Sequence, residues 1–120
     1  MKTWAVVGLG NNPERAAFGV AKLLQDKGHR IIPVYPRAET VHGEVGYKTL
    51  SEIPGPIDVV DCFVNSTHVG KVVDEAIAIG AKAVWLQLDV IDNDAIARAQ
   101  AAGLITVMDR CPAIEYRKKS

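Results

Sequence analysis

Five short apolar runs punctuate the chain, and helical periodicity fills most of the intervals between them. This alternation constrains the fold more than any other feature. Residues 4–7, 30–34, 59–64, 83–88 and 105–108 read as strands. Continuous apolar, β-branched runs of this kind suit strands buried on both faces. Between the first two runs, Ala17, Val20, Ala21 and Leu24 recur at helical spacing, and Lys27 and Gly28 close the segment. After the third run, Asn65, Ser66 and Thr67 offer caps for a helix whose apolar face is Val69, Val72, Val73, Ala76 and Ile77. Asp92 caps a last helix with Ile96 and Ala99 on its inner face, ended by Gly103. Pro33 is expected at the exit of the second strand. Residues 35–47 read as an ordered loop, and 49–53 as one helical turn stopped by Pro54-Gly55-Pro56.

Strands and helices that alternate with short loops predict an α/β fold: a Rossmann-like, doubly wound, five-stranded parallel sheet in three α/β/α layers. The expected strand order is 3-2-1-4-5. With 120 residues, no linker and no repeat, residues 1–120 are expected to be one domain. Fourteen Lys+Arg balance fourteen Asp+Glu, which argues against nucleic acid or a charged membrane surface as partner. No apolar run reaches the ~18–20 residues of a membrane span, and no signal-peptide pattern opens the chain. Two widely separated cysteines give neither a disulfide framework nor a zinc site, so a cytoplasmic setting is expected.

Ligands of such sheets bind beyond the carboxyl ends of the strands. The loops that form that edge here are 8–15, 35–41, 64–67 and 87–90. In the first, Gly8 and Gly10 open a dinucleotide-type fingerprint, with Pro13 where the third glycine would stand. Glycines there let backbone N–H groups approach a phosphate at a helix N-terminus; the plainer alternative is a tight turn. At the end of the second strand, an NAD site wants an acidic residue. The chain has Tyr35-Pro36-Arg37, and Arg37 suits the extra ribose phosphate of NADP or of coenzyme A (CoA).

Catalytic signals are sparse. His29, His42 and His68 are scattered and suit surface or turn roles, although His68 opens a helix near the ligand edge. Asp61, inside a strand, suits a hydrogen-bonded structural role. Cys62 reads as core, and Cys111 as packing at the ligand-bearing edge, where a neighbouring Arg110 would favour a thiolate. Gln87, near the exit of the fourth strand, is expected to face the crevice. No nucleophile or metal arrangement is visible, so no catalytic residue is assigned and no reaction is expected.

Taken in order, Val6 to Arg15, Ile32 to Arg37, Glu75 to Lys82, Trp85 to Leu88 and Val107 to Pro112 resemble the small stand-alone CoA-binding proteins with a Rossmann-type fold. The same module opens the alpha subunit of succinyl-CoA synthetase. The resemblance implies that coenzyme A or an acyl-CoA is bound without catalysis. It implies phosphate contacts from Gly8, Gly10, Asn11, Asn12, Pro13 and Arg15, and adenosine-end contacts from Tyr35, Pro36 and Arg37. Val64, Asn65, Ser66 and Gln87 would line the rest. The chain departs from the family's usual Ser at Gly10, Asn at Tyr35 and Gly at Asp89. Such modules could also pair with catalytic subunits or with themselves. The alternatives are an NADP-binding oxidoreductase, which would lack a substrate domain here, and an interaction module without ligand.

Overall fold

The computed structural model describes residues 2–111. Five parallel strands carry the fold: β1 (Thr3–Val7), β2 (Arg30–Val34), β3 (Val59–Cys62), β4 (Ala83–Leu86) and β5 (Ile105–Val107). Three helices connect them: α1 (Ala16–Asp26), α2 (Val69–Ala78) and α3 (Asn93–Ala101). A single 3-10 turn, Leu50–Glu52, lies between β2 and β3. Side-chain alternation divides the core in two. Trp4, Val6, Ile31 and Val59 face α1, while Ala5, Ile32, Val60, Cys62, Val84 and Leu86 face α2 and α3. The three α/β/α layers are therefore those expected.

The strand order is β2-β1-β3-β4-β5, which corrects the expected 3-2-1-4-5. The reason lies at the outer edge of β2. Tyr47 N–H donates to Pro33 O at 2.9 Å, and Tyr35 N–H donates to Tyr47 O at 2.9 Å. Pro33 pairs with Val6 on its inner side and turns outward the side of the backbone that has no N–H. Proline belongs on an edge strand for this reason. With that edge closed, the chain crosses to the far side of β1, burying Leu50, Ile53 and Ile57 against the α2 face, and enters β3 beside β1.

The last three strands are shorter than their apolar runs. β1 turns away at Gly8, so Phe63 N–H makes the last bond of that pair, to Val7 O at 2.8 Å. Beyond it β3 has lost one neighbour. Gly8 adopts φ +101°, and a Cβ there would lie 3.0 Å from Phe63 O. Asp92 caps α3 as expected, accepting Ala95 N–H at 3.0 Å. Asn65, Ser66 and Thr67 do not cap α2: the N-cap is His68, and no side chain accepts a bond there.

Asp61 is fully buried in the middle of the sheet, between Val6 and Trp85. Its Oδ1 accepts a hydrogen bond from Gln87 Nε2, and Oδ2 has no partner among the described residues. Burial raises its pKa to about 8 against the partial opposition of the Gln87 bond. The unfolded carboxyl titrates near ~3.9. Folded protein therefore holds a proton that unfolded protein releases between these values, and stability falls as pH rises across that window. Asp61→Asn is expected to flatten the decline between about pH 4 and pH 8 in denaturant melts. An unchanged slope would place the titrating group elsewhere.

Gly8 supplies a second expectation. Gly8→Ala combines positive φ with crowding against Phe63, so it should cost about 1–3 kcal/mol in urea unfolding. A neutral effect would mean that the turn relaxes freely.

Candidate functional site

The loop between β1 and α1 is a tight turn set on the sheet. Gly8 N–H donates to Val34 O at 2.8 Å, which ties the turn to β2. Asn12 shapes the approach to α1: its carbonyl accepts Arg15 N–H at 3.0 Å and its Oδ1 accepts Glu14 N–H at 3.0 Å. α1 then starts from Arg15 with no side-chain cap and no acidic residue in its first turn. Its unsatisfied N–H groups and dipole are therefore available to an anion. The second loop leans on the first. Glu39 Oε1 accepts Asn11 N–H at 2.9 Å, and Asn11 Nδ2 donates to Thr40 O at 2.6 Å.

Among the described residues, two cavities open at the carboxyl ends of the strands. The smaller, about 440 Å³, is lined by Gly8, Gly10, Asn11, Asn12, Pro13, Arg15, Tyr35, Arg37 and Glu39. The larger, about 670 Å³, is lined by Val7, Gly8, Arg15, Val34, Tyr35, Pro36, Lys48, Phe63, Val64, Asn65, His68, Leu88, Asp89 and Val90. Gly8, Arg15 and Tyr35 belong to both, so the two form one crevice across β1 and its neighbours β2 and β3. In this strand order the chain leaves β1 and β3 for opposite faces, which opens such a crevice. One end is polar, with Arg15 and Arg37; the other has apolar walls from Val7, Phe63, Val64 and Val90. A third cavity, about 360 Å³, lies near the amino ends of the strands beside Lys2, Trp4, Asp58 and Trp85.

Eleven of the thirteen residues singled out from the sequence line this crevice, and two do not. Gln87 is 5 % exposed and spends its amide on Asp61, so it does not face the crevice. A buried carboxyl needs a donor, and Gln87 lies two residues beyond Trp85, the register partner of Asp61, on the same sheet face. Ser66 Oγ accepts Ile91 N–H at 2.9 Å and donates to Asp89 O at 3.3 Å, which ties the loops after β3 and β4 together behind the cavity wall. Glu39, Lys48 and Asp89 line the crevice and were not singled out as site residues. Glu39 and Lys48 come from the long loop after β2, where no periodicity tells which side chains turn inward. Asp89 sits at φ +66°, a backbone region that favours glycine, and its N–H bonds Asp109 Oδ1 at 2.7 Å.

The other reactive side chains divide clearly. His68 lines the larger cavity, with Nδ1 2.7 Å from Asn65 Oδ1. Thr67 Oγ1 donates to the same oxygen at 2.6 Å. His42 packs its ring on Phe18 and bonds Phe18 O at 2.8 Å, which makes it a staple between the long loop and α1. Cys62 is fully buried, and burial pushes its thiol pKa up. Cys111 is half-buried against the α1-side core and lines neither cavity. Among the described residues no group of three or more His, Cys, Asp or Glu could hold a metal ion, and no helix is long and apolar enough to cross a membrane.

This site belongs to a recognisable lineage. Residues 2–117 match the family model described as a CoA binding domain. The chain is 36 % identical over 110 residues to the uncharacterized protein YneT of Bacillus subtilis (strain 168), covering 92 % of this chain and 82 % of that one. It is 35 % identical over 81 residues to the alpha subunit of the ADP-forming acetate–CoA ligase II of Pyrococcus furiosus; the match takes 67 % of this chain and 18 % of that subunit. Among solved structures, a hypothetical protein from Pyrococcus horikoshii OT3 superposes with a TM-score of 0.93 at 39 % identity, over 98 % of this chain and 82 % of that one. The fold also recurs, at a TM-score of 0.78 and 21 % identity, in the dinucleotide-forming acetyl-coenzyme A synthetase 1 of Ca. Korarchaeum cryptofilum, over 90 % of this chain and 26 % of that one. The chain therefore belongs to the CoA binding domain family.

Proposed function

We propose that this chain is a single module that binds CoA or an acyl-CoA across the crevice and carries out no reaction of its own. One observation carries the reading: the crevice joins an uncapped helix N-terminus flanked by Arg15 and Arg37 to an apolar wall of Phe63, Val64 and Val90. CoA has the matching polarity, with phosphates at one end and a pantetheine arm at the other. In this reading Gly8, Gly10, Asn11, Asn12, Pro13 and Arg15 hold the diphosphate. Tyr35, Pro36 and Arg37 meet the adenosine end, and Val64 and Asn65 line the path of the arm. Ser66 and Gln87 act from behind it: Ser66 ties the loops after β3 and β4 together, and Gln87 bonds Asp61 within β3. The relation to a CoA ligase subunit supports a role that supplies bound CoA to a catalytic partner or to a second copy. Two free cysteines fit a reducing compartment such as the cytoplasm.

Arg37 distinguishes this ligand from its near relatives. A charge-assisted contact with the 3′-phosphate contributes roughly 1.5–3 kcal/mol, or about ten- to a hundredfold in affinity. Calorimetry with CoA and dephospho-CoA should give that ratio for the wild type, and Arg37→Ala should collapse it toward one. Equal affinities for both ligands in the wild type would remove Arg37 from the site. Tighter binding of NADP than of CoA would favour the oxidoreductase reading instead.

A further inference from the structure

The smaller cavity contains an acidic side chain where an anion-binding site would be expected to exclude one. Glu39 Oε1 lies 2.9 Å from the Asn11 nitrogen, in the loop that leads into the uncapped N-terminus of α1. The carboxylate accepts this N–H. None of the ion pairs among the described residues involves Glu39, although Arg15 and Arg37 line the same cavity.

The placement is built rather than incidental. Asn11 Nδ2 holds Thr40 O at 2.6 Å, so the backbone beside Glu39 is tied to the loop its side chain contacts. Ala38 adopts φ +50°, and its N–H donates to Tyr35 O at 2.8 Å, closing a turn just before Glu39. Gly46 lies so close behind Glu39 O that no Cβ fits there, and the following residue, Tyr47, is bonded to β2. Gly10 leaves the space on the other side: a Cβ there would meet Glu39 Oε1 at 2.8 Å. Backbone fixed on both sides therefore presents one carboxylate to one N–H.

We infer that Glu39 is a built-in competitor for the phosphate cradle: its carboxylate holds the Asn11 N–H until a more highly charged phosphate ligand displaces it. A carboxylate and a phosphate oxygen compete for the same donor, and both cannot sit there without like-charge repulsion. The cradle then discriminates by charge. A carboxylate or a singly charged ester gains little by exchanging with Glu39, whereas a diphosphate also engages Arg15 and the α1 dipole. Displacement would remove one of the two hydrogen bonds between the loops and leave the other, Asn11 Nδ2 to Thr40 O, in place. The inference deepens the CoA reading for CoA itself, while the competition for the cradle can be measured with inorganic pyrophosphate alone.

The test is calorimetric titration of pyrophosphate, and separately of CoA, into wild type, Glu39→Gln and Glu39→Ala. Gln keeps the shape and an acceptor but not the charge. Both variants are expected to bind pyrophosphate about tenfold more tightly than wild type, the scale of one relieved like-charge contact in a partly screened site. Unchanged or weaker pyrophosphate binding in both variants overturns the inference. Pyrophosphate tightened with no CoA bound by any of the three proteins keeps the inference and sinks the CoA reading. CoA bound equally by all three, with pyrophosphate unchanged, does the reverse. Weaker CoA binding by Glu39→Gln would make Glu39 a ligand contact, such as an acceptor for ribose hydroxyls, and would also overturn it. Wild-type protein gives a reading independent of variant folding: the Asn11 amide resonance should shift as pyrophosphate is added, and a stationary signal counts against the proposal.

Discussion

Two hydrogen bonds between Tyr47 and the outer edge of β2 govern both the strand order and the crevice. They close that edge, so β3 has no place beside β2 and must pair with β1. With β1 between β2 and β3, the connections after β1 and β3 leave toward opposite faces, and the crevice opens there. The same closure holds the long loop against the sheet, with Arg37 and Glu39 lining the smaller cavity of the crevice and Lys48 the larger. Fold and site thus share one anchor, supplied by residues that look like a plain loop.

The layers were legible because each strand and helix declares itself by its own periodicity. The turn from Gly8 to Arg15 was legible at the ligand-bearing edge because its glycines fall between a strand and a helix. Strand order was not read correctly, although Pro33 carries the clue. A strand proline has no N–H to give a neighbouring strand, which favours an edge position for β2 over one between two strands. The direction of Gln87 was not legible, because its partner Asp61 lies twenty-six residues away and only sheet register brings the two together. Glu39 was missed for a similar reason: its inward turn depends on Ala38, Gly46 and Asn11 acting together.

The aspartates just before β3 and within it show how position sets chemistry. Asp58 accepts Thr3 N–H at 2.8 Å and lies 3.4 Å from Lys82, and the backbone bond is the main cause holding its pKa below the ordinary carboxylate value. It binds β1 to the start of β3 as a charged clamp. Asp61, three residues on, has only a neutral amide for company and is pushed the other way. A charged group at the sheet's rim and a proton-bearing one at its centre therefore serve the same strand.

The crossing from β2 to β3 also has a consequence in time. β1 pairs on both sides, yet the partner on its β3 side is made some fifty-five residues later, as the Thr3–Asp58 separation shows. A ribosome-bound chain can form the β1–α1–β2 unit early, but one flank of β1 stays open until β3 has emerged. Closing a loop of that length makes folding slower than local pairing would be, and leaves apolar Ala5 and Val7 uncovered on one side meanwhile. The architecture that creates the crevice thus also lengthens the interval in which the nascent sheet is vulnerable to pairing with the wrong strand.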